Sequence, residues 1–154
     1  VDAGLVYKVP LCKEVKLPLK VYEDPTAFKL FTLDLGLLGA MVGTEAKQVL
    51  IKNDIFSEYK GGMTEQYVLE EMKSNGEENI FYHKPDDGTR LEIDFMIQRY
   101  GKLLPIEVKA EGNVRANSLS NLLKQTPELH AFRYSMKPYI EQEQMTCYPL
   151  YAIQ

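Results

Sequence analysis

Residues 91–110, LEIDFMIQRYGKLLPIEVKA, leave few folds open to this chain. With Tyr100-Gly101 at the turn, a hairpin places Leu91, Ile93, Phe95 and Ile97 opposite Ala110, Val108, Ile106 and Leu104. That is an uninterrupted apolar face, as a buried sheet surface requires. A slip of one residue would turn charges into it, so the register is strongly specified. The other face is expected to set Asp94 opposite Glu107 and Glu92 opposite Lys109. Side chains so related have Cβ atoms about 4.5–5.5 Å apart, where like charges destabilise. Two carboxylates at that range need a shared proton, a cationic neighbour or a bound metal. Hard oxygen ligands suit Mg²⁺ or Mn²⁺. A surface ion pair of Glu92 with Lys109, screening both acids on a solvated face, accounts for the hairpin equally well.

Glu65 shifts the balance toward a site. From Ile55 the pattern turns helical, and Glu65, Val68, Leu69 and Met72 fall on one face. A carboxylate in an apolar stripe is uncommon unless it is paired or metal-linked. Gly61-Gly62, one turn earlier, permit close approach of backbone. The plainer alternative has Glu65 at the edge of the stripe, reaching water or capping its own first turn.

Around these elements the chain reads as α/β. The first fifty residues are broken by Pro10, Pro18 and Pro25, and residues 28–41 (FKLFTLDLGLLGAM) are apolar enough for either a strand or a short helix. Asn75-Gly76 marks a helix end. Residues 79–83 read as a strand and Pro85-Asp86-Asp87-Gly88 as a turn. A helix is expected from Ser118 as N-cap, followed by strands over 130–135 and 147–153. The order helix, three strands, helix, strand implies a mixed sheet flanked by helices. Residues 1–52 are expected to connect to something upstream while packing on a domain over 53–154. Opening on Val1 rather than Met, just ahead of an expected strand over 5–9, the chain is expected to be a piece of a longer protein.

At 154 residues a chain buries roughly 68–70% of its unfolded surface and needs no metal or disulfide to fold. No apolar run approaches the roughly 20 residues of a membrane helix, and nothing at the start reads as a secretory signal. Cys12 and Cys147 match no metal-ligand spacing and are expected as reduced, buried thiols in a cytoplasmic protein. The net charge of −4 does not advertise a nucleic-acid binder. Between Lys102 and Lys137, however, six basic residues outnumber three acids, and Glu107 and Glu111 flank the expected site. His83 and His130 are expected to be structural or exposed, and Tyr100 and Tyr134, which could stack on bases, to serve a core or turn role instead.

Residues 61–72 (GGMTEQYVLEEM), 92–95 (EIDF) and 105–110 (PIEVKA) together resemble the PD-(D/E)XK nuclease superfamily. The helix glutamate resembles that of archaeal Holliday-junction resolvases, arranged as helix Glu, strand Asp and Glu-X-Lys. More narrowly, the chain is similar to the C-terminal domain, of unknown function, of prokaryotic AAA-type ATPases; Asp34–Leu38 and Pro149–Tyr151 share that likeness. The resemblance implies a restriction-endonuclease-like core. It implies Glu65, Asp94, Glu107 and Lys109 as catalytic residues, with Asp94, Glu107, the Val108 carbonyl and Glu65 around Mg²⁺ or Mn²⁺. It also implies DNA as substrate and an ATPase domain upstream in the same polypeptide. Asn117 stands where such domains often carry lysine, which removes one expected basic group.

Two classes of function follow. One is a metal-dependent nuclease-like domain of a larger ATPase; the other is a non-catalytic module binding DNA or protein through the same fold, or a dimerising tail. The chain has no G-x-x-x-x-G-K-[ST] loop, so it is not expected to bind ATP.

Overall fold

The computed structural model describes residues 4–42, 55–85, 91–110 and 117–153. Its elements are β1 (Val6–Cys12), a 3₁₀ turn (Leu19–Tyr22), β2 (Glu23–Thr32), α1 (Leu35–Val42), α2 (Ile55–Ser74) and β3 (Phe81–His83). They continue with β4 (Ile93–Arg99), β5 (Lys102–Lys109), α3 (Asn117–Gln125), β6 (Ala131–Ser135), β7 (Ile140–Gln142), β8 (Met145–Pro149) and a closing 3₁₀ turn (Leu150–Ala152). The strands form one eight-stranded mixed sheet in the order β2-β1-β3-β4-β5-β6-β8-β7. Neighbours are antiparallel except β1/β3, β5/β6 and β6/β8. The expectation of an α/β fold with a mixed sheet and flanking helices holds. Strands β1 and β2, from the expected connecting segment, are two strands of that same sheet.

Local chemistry explains the boundaries. The apolar run 28–41 divides between β2 and α1 because Asp34 caps the helix, its Oδ1 accepting the Leu37 N–H at 2.7 Å. Helix α2 ends in a Schellman motif: Gly76 N–H donates to Lys73 O at 3.1 Å and Glu77 N–H to Met72 O at 3.0 Å. Gly76 takes φ 87°, a conformation glycine adopts at no steric cost. Tyr100 (φ 51°) and Gly101 (φ 72°) make the tight turn between β4 and β5. Two expectations change. Ser118 lies inside α3, where its Oγ accepts the Glu92 N–H at 3.2 Å instead of capping the helix. The last expected strand begins at Met145 and pairs with the unexpected short strand β7. The turn expected at 85–88 falls largely outside the described residues.

Two cores lie on opposite faces of the sheet. On one, Val68, Leu69 and Met72 of α2 pack on Val9, Phe31, Tyr82, Phe95, Ile97, Ile106, Val108 and Tyr134. On the other, Leu119 and Leu123 of α3 pack with Phe81, Ile93, Met96 and Ala131. Full burial of a side chain such as Leu69 contributes about 1.5–3 kcal/mol. The hairpin register comes out as expected over Phe95↔Ile106 and Ile97↔Leu104. The uninterrupted apolar face does not, because Ile93 belongs to the opposite core from Phe95 and Ile97. The cause is a bulge: Phe81 pairs with Met96 and His83 with Ile93, so β4 spends one more residue than β3 over this stretch. Asp94 and Phe95 therefore both lie opposite Tyr82. Cys12 and Cys147 are buried and free, and Tyr134 is core whereas Tyr100 stands exposed at the turn.

Gln66, 2% exposed on α2, acts as an extra strand neighbour for the end of β2. Its Oε1 accepts the Thr32 N–H at 3.0 Å and its Nε2 donates to the Thr32 carbonyl at 2.7 Å. Gln66→Leu is expected to leave both backbone groups unpaired, costing about 1–3 kcal/mol for each. Urea unfolding monitored by circular dichroism checks this, and an unchanged midpoint refutes it.

Candidate functional site

Five elements bring charged groups to one end of the β4–β5 pair. The β4–β5 ladder begins at Phe95–Ile106. Just beyond it, the Asp94 carboxylate takes over the role of a strand neighbour: the Val108 N–H donates to Asp94 Oδ2 at 2.7 Å. The bulge opposite Tyr82 is what frees Asp94 for this, since bulges re-aim side chains and interrupt pairing.

From α2, Glu65 reaches the same region. Lys29, on β2, stands 3.6 Å from Glu65 Oε2 and ion-pairs with Glu92 as well. Its ammonium also sits 5.2 Å from the centre of the Tyr82 ring. Burial pushes the Asp94 carboxyl up to about 7, and the negative charge of Glu65 pushes the same way. The Val108 N–H, Lys109 and Lys29 oppose that rise. Glu65 and Asp94 thus share one electrostatic environment short of positive charge.

Glu107 is held differently. It is 4% exposed and directly paired with Arg133 across the parallel β5/β6 ladder. Arg133 donates Nε and Nη2 to Glu107 Oε2, both at 2.9 Å, and Lys109 Nζ lies 3.1 Å from Oε1. Both oxygens carry a cation, as a buried carboxylate needs. Alternation along β5 sets Glu107 and Lys109 against Ile106 and Val108, which face α2. Lys109 bridges the two halves, touching Glu107 while its charge is felt at Asp94.

The structure therefore brings Glu65 and Asp94 together on the α2 face, with the charge of Lys109 felt at Asp94. Glu107 leaves β5 on the opposite face with Lys109 and Arg133, so the expected placement of Asp94 and Glu107 on one face does not hold. The expected Glu92–Lys109 pair is replaced by Glu92–Lys29. The mutual repulsion expected of Asp94 and Glu107 is replaced by repulsion between Asp94 and Glu65. Lys29 and Arg133 were not anticipated. The signal for Lys29 was present, because alternation in β2 sets it on the same face as buried Phe31. His83 bonds the Cys12 carbonyl and His130 the Thr146 hydroxyl, each at 2.8 Å, which gives both structural roles.

Among the described residues, no three His, Cys, Asp or Glu side chains stand together as a ready metal cage. The donor chemistry nevertheless fits Mg²⁺ or Mn²⁺. Mg²⁺ uses one or two carboxylates and completes its octahedron with water and substrate phosphate. Asp94 and Glu65 are two hard carboxylates whose charge is incompletely offset.

A carboxyl raised in the folded state stabilises the fold below its ordinary range near 3.8 and loses that contribution as pH rises through about 7. Metal-free protein is expected to lose stability over that window. Asp94→Asn, which still accepts the Val108 N–H, is expected to flatten the slope and to be the more stable protein at roughly pH 8. Melting temperatures with chelator across the window check this; parallel profiles for the two proteins refute it.

No curated protein and no solved structure shows significant similarity to the chain. A family model described as "Domain of unknown function (DUF4143)" matches residues 60–152, from within α2 to the closing 3₁₀ turn, and so takes in Glu65, Asp94, Glu107 and Lys109. The chain belongs to the DUF4143 family.

Proposed function

We propose that the domain has a PD-(D/E)XK nuclease-type core and hydrolyses phosphodiester bonds in DNA with Mg²⁺ or Mn²⁺, as part of a larger AAA-type ATPase. The observation that carries this reading is the convergence of a helix carboxylate, Glu65, a strand carboxylate, Asp94, and Lys109 in one partly buried field. The order of elements, α2, then β3–β5, then α3 and β6, supports the same core.

Asp94, with Glu65, would hold the cation, and Glu107, on the other face of β5, would stay with Lys109 and Arg133. What the cation supplies is a water ionised near neutral pH and positive charge toward the phosphate. The chain's own residues do the rest. The Val108 N–H fixes the Asp94 carboxylate, and Glu107 positions the Lys109 ammonium at 3.1 Å. Lys109 is then placed to orient the attacking water and offset negative charge that develops on the phosphate oxygens.

A second reading, a non-catalytic binding module, is favoured by one observation: Arg133 and Lys109 already neutralise Glu107, so the resting site is closer to a structural ion network than to a vacant ligand set.

With Mn²⁺, the domain is expected to nick or cut DNA. Lys109→Ala is expected to lose activity by ~10²–10³ while retaining the metal; Asp94→Ala is expected to lose both. Gel assays of cleavage and calorimetric metal binding read the two effects separately. Cleavage by Lys109→Ala at the wild-type rate would falsify the catalytic assignment. No cleavage and no metal-induced stabilisation in the wild type would leave the binding module standing.

A further inference from the structure

Lys29 lies outside the expected site and outside the segment matched by the family model. It starts on β2 and reaches over β1 and β3 toward β4, placing its ammonium on Glu65 and Glu92 and above the Tyr82 ring. Its side chain is only 23% exposed, in a strand otherwise at the edge of the sheet. A half-buried lysine is costly unless it is paired, and among the described residues its ion pairs are with acids around the site. An ammonium and a divalent cation answer the same need, which is positive charge against these carboxylates. Each weakens the hold of the other on Glu65, because two cations at such range repel.

We infer that Lys29 is the resident counter-cation of this site: a positioning residue that holds Glu65 and Glu92 when no metal is bound and competes with a divalent cation for them. The competition rests on the metal-site reading above; the charge-holding role does not. Lys29 gives the domain a low-affinity setting, so that metal enters only by displacing the ammonium. Displaced, Lys29 is a free cation beside the site, able to take a phosphate oxygen.

The test is calorimetric titration of the intact chain with MnCl₂, alongside melting in chelator. Lys29→Met is expected to bind Mn²⁺ about tenfold tighter or more, within the 5–150-fold range of ordinary site–site coupling. Lys29→Arg, which keeps the charge, is expected to stay near the wild-type affinity. A merely structural role would weaken or leave unchanged the affinity of Lys29→Met, and that result overturns the competition. Lys29→Gln takes the place of Lys29→Met if the latter does not fold. If neither protein binds Mn²⁺, the metal-site reading fails, and the chelator arm alone decides the charge-holding role. There, Lys29→Met is expected to melt below the wild type at roughly pH 8. Adding Glu65→Gln and Glu92→Gln is expected to restore the loss. Failure of those two changes to restore it overturns the assignment of Lys29 as counter-cation.

Discussion

One added residue on β4 underlies the whole arrangement. Phe95 and Ile97 must face α2 to complete that core, while Ile93 and Met96 must face α3 to complete the other. Strict alternation cannot satisfy both demands. The bulge opposite Tyr82 satisfies them by letting Asp94 and Phe95 share a side. The consequence is chemical as well as structural: Asp94 is turned toward Glu65 and takes the Val108 N–H in place of a ladder bond.

Burying an acid in this way has to be offset, and three cations from three strands do it. Lys29 comes from β2, Lys109 from β5 and Arg133 from β6. Glu107 receives two of them, Lys109 and Arg133, whereas Asp94 receives only the more distant influence of Lys109 and Lys29 and rises to about 7. The acids are therefore unequal. Glu107 belongs to a tight ion cluster whose disruption would cost about 3–5 kcal/mol, and Asp94 is the group most responsive to an added cation. A glutamine at Glu107 removes no repulsion from Asp94; it strands two cations.

Periodicity located α2 and its face, and alternation set the β4–β5 register, because both follow from side-chain direction along a regular backbone. Glu65 stood out as a carboxylate in an apolar stripe. Ile93 was assigned to the wrong face, since a bulge is demanded by the neighbouring strand and leaves no mark in β4 itself. Lys29 and Arg133 were passed over because their partners lie 36 and 26 residues away in the chain, and ion pairs of that separation carry no local pattern.

The amino-acid sequence by itself determined the α/β pattern, the hairpin register over Phe95–Ile97, the end of α2 and the identity of the acids, all of them consequences of local backbone geometry and patterning. Only the tertiary structure decided which acid meets which cation. That outcome depends on the strand order β2-β1-β3-β4-β5-β6, which sets Lys29 and Arg133 on either side of the β4–β5 pair. Charge compensation acts through space over a few ångströms, and what lies within that reach is known only when the sheet is assembled.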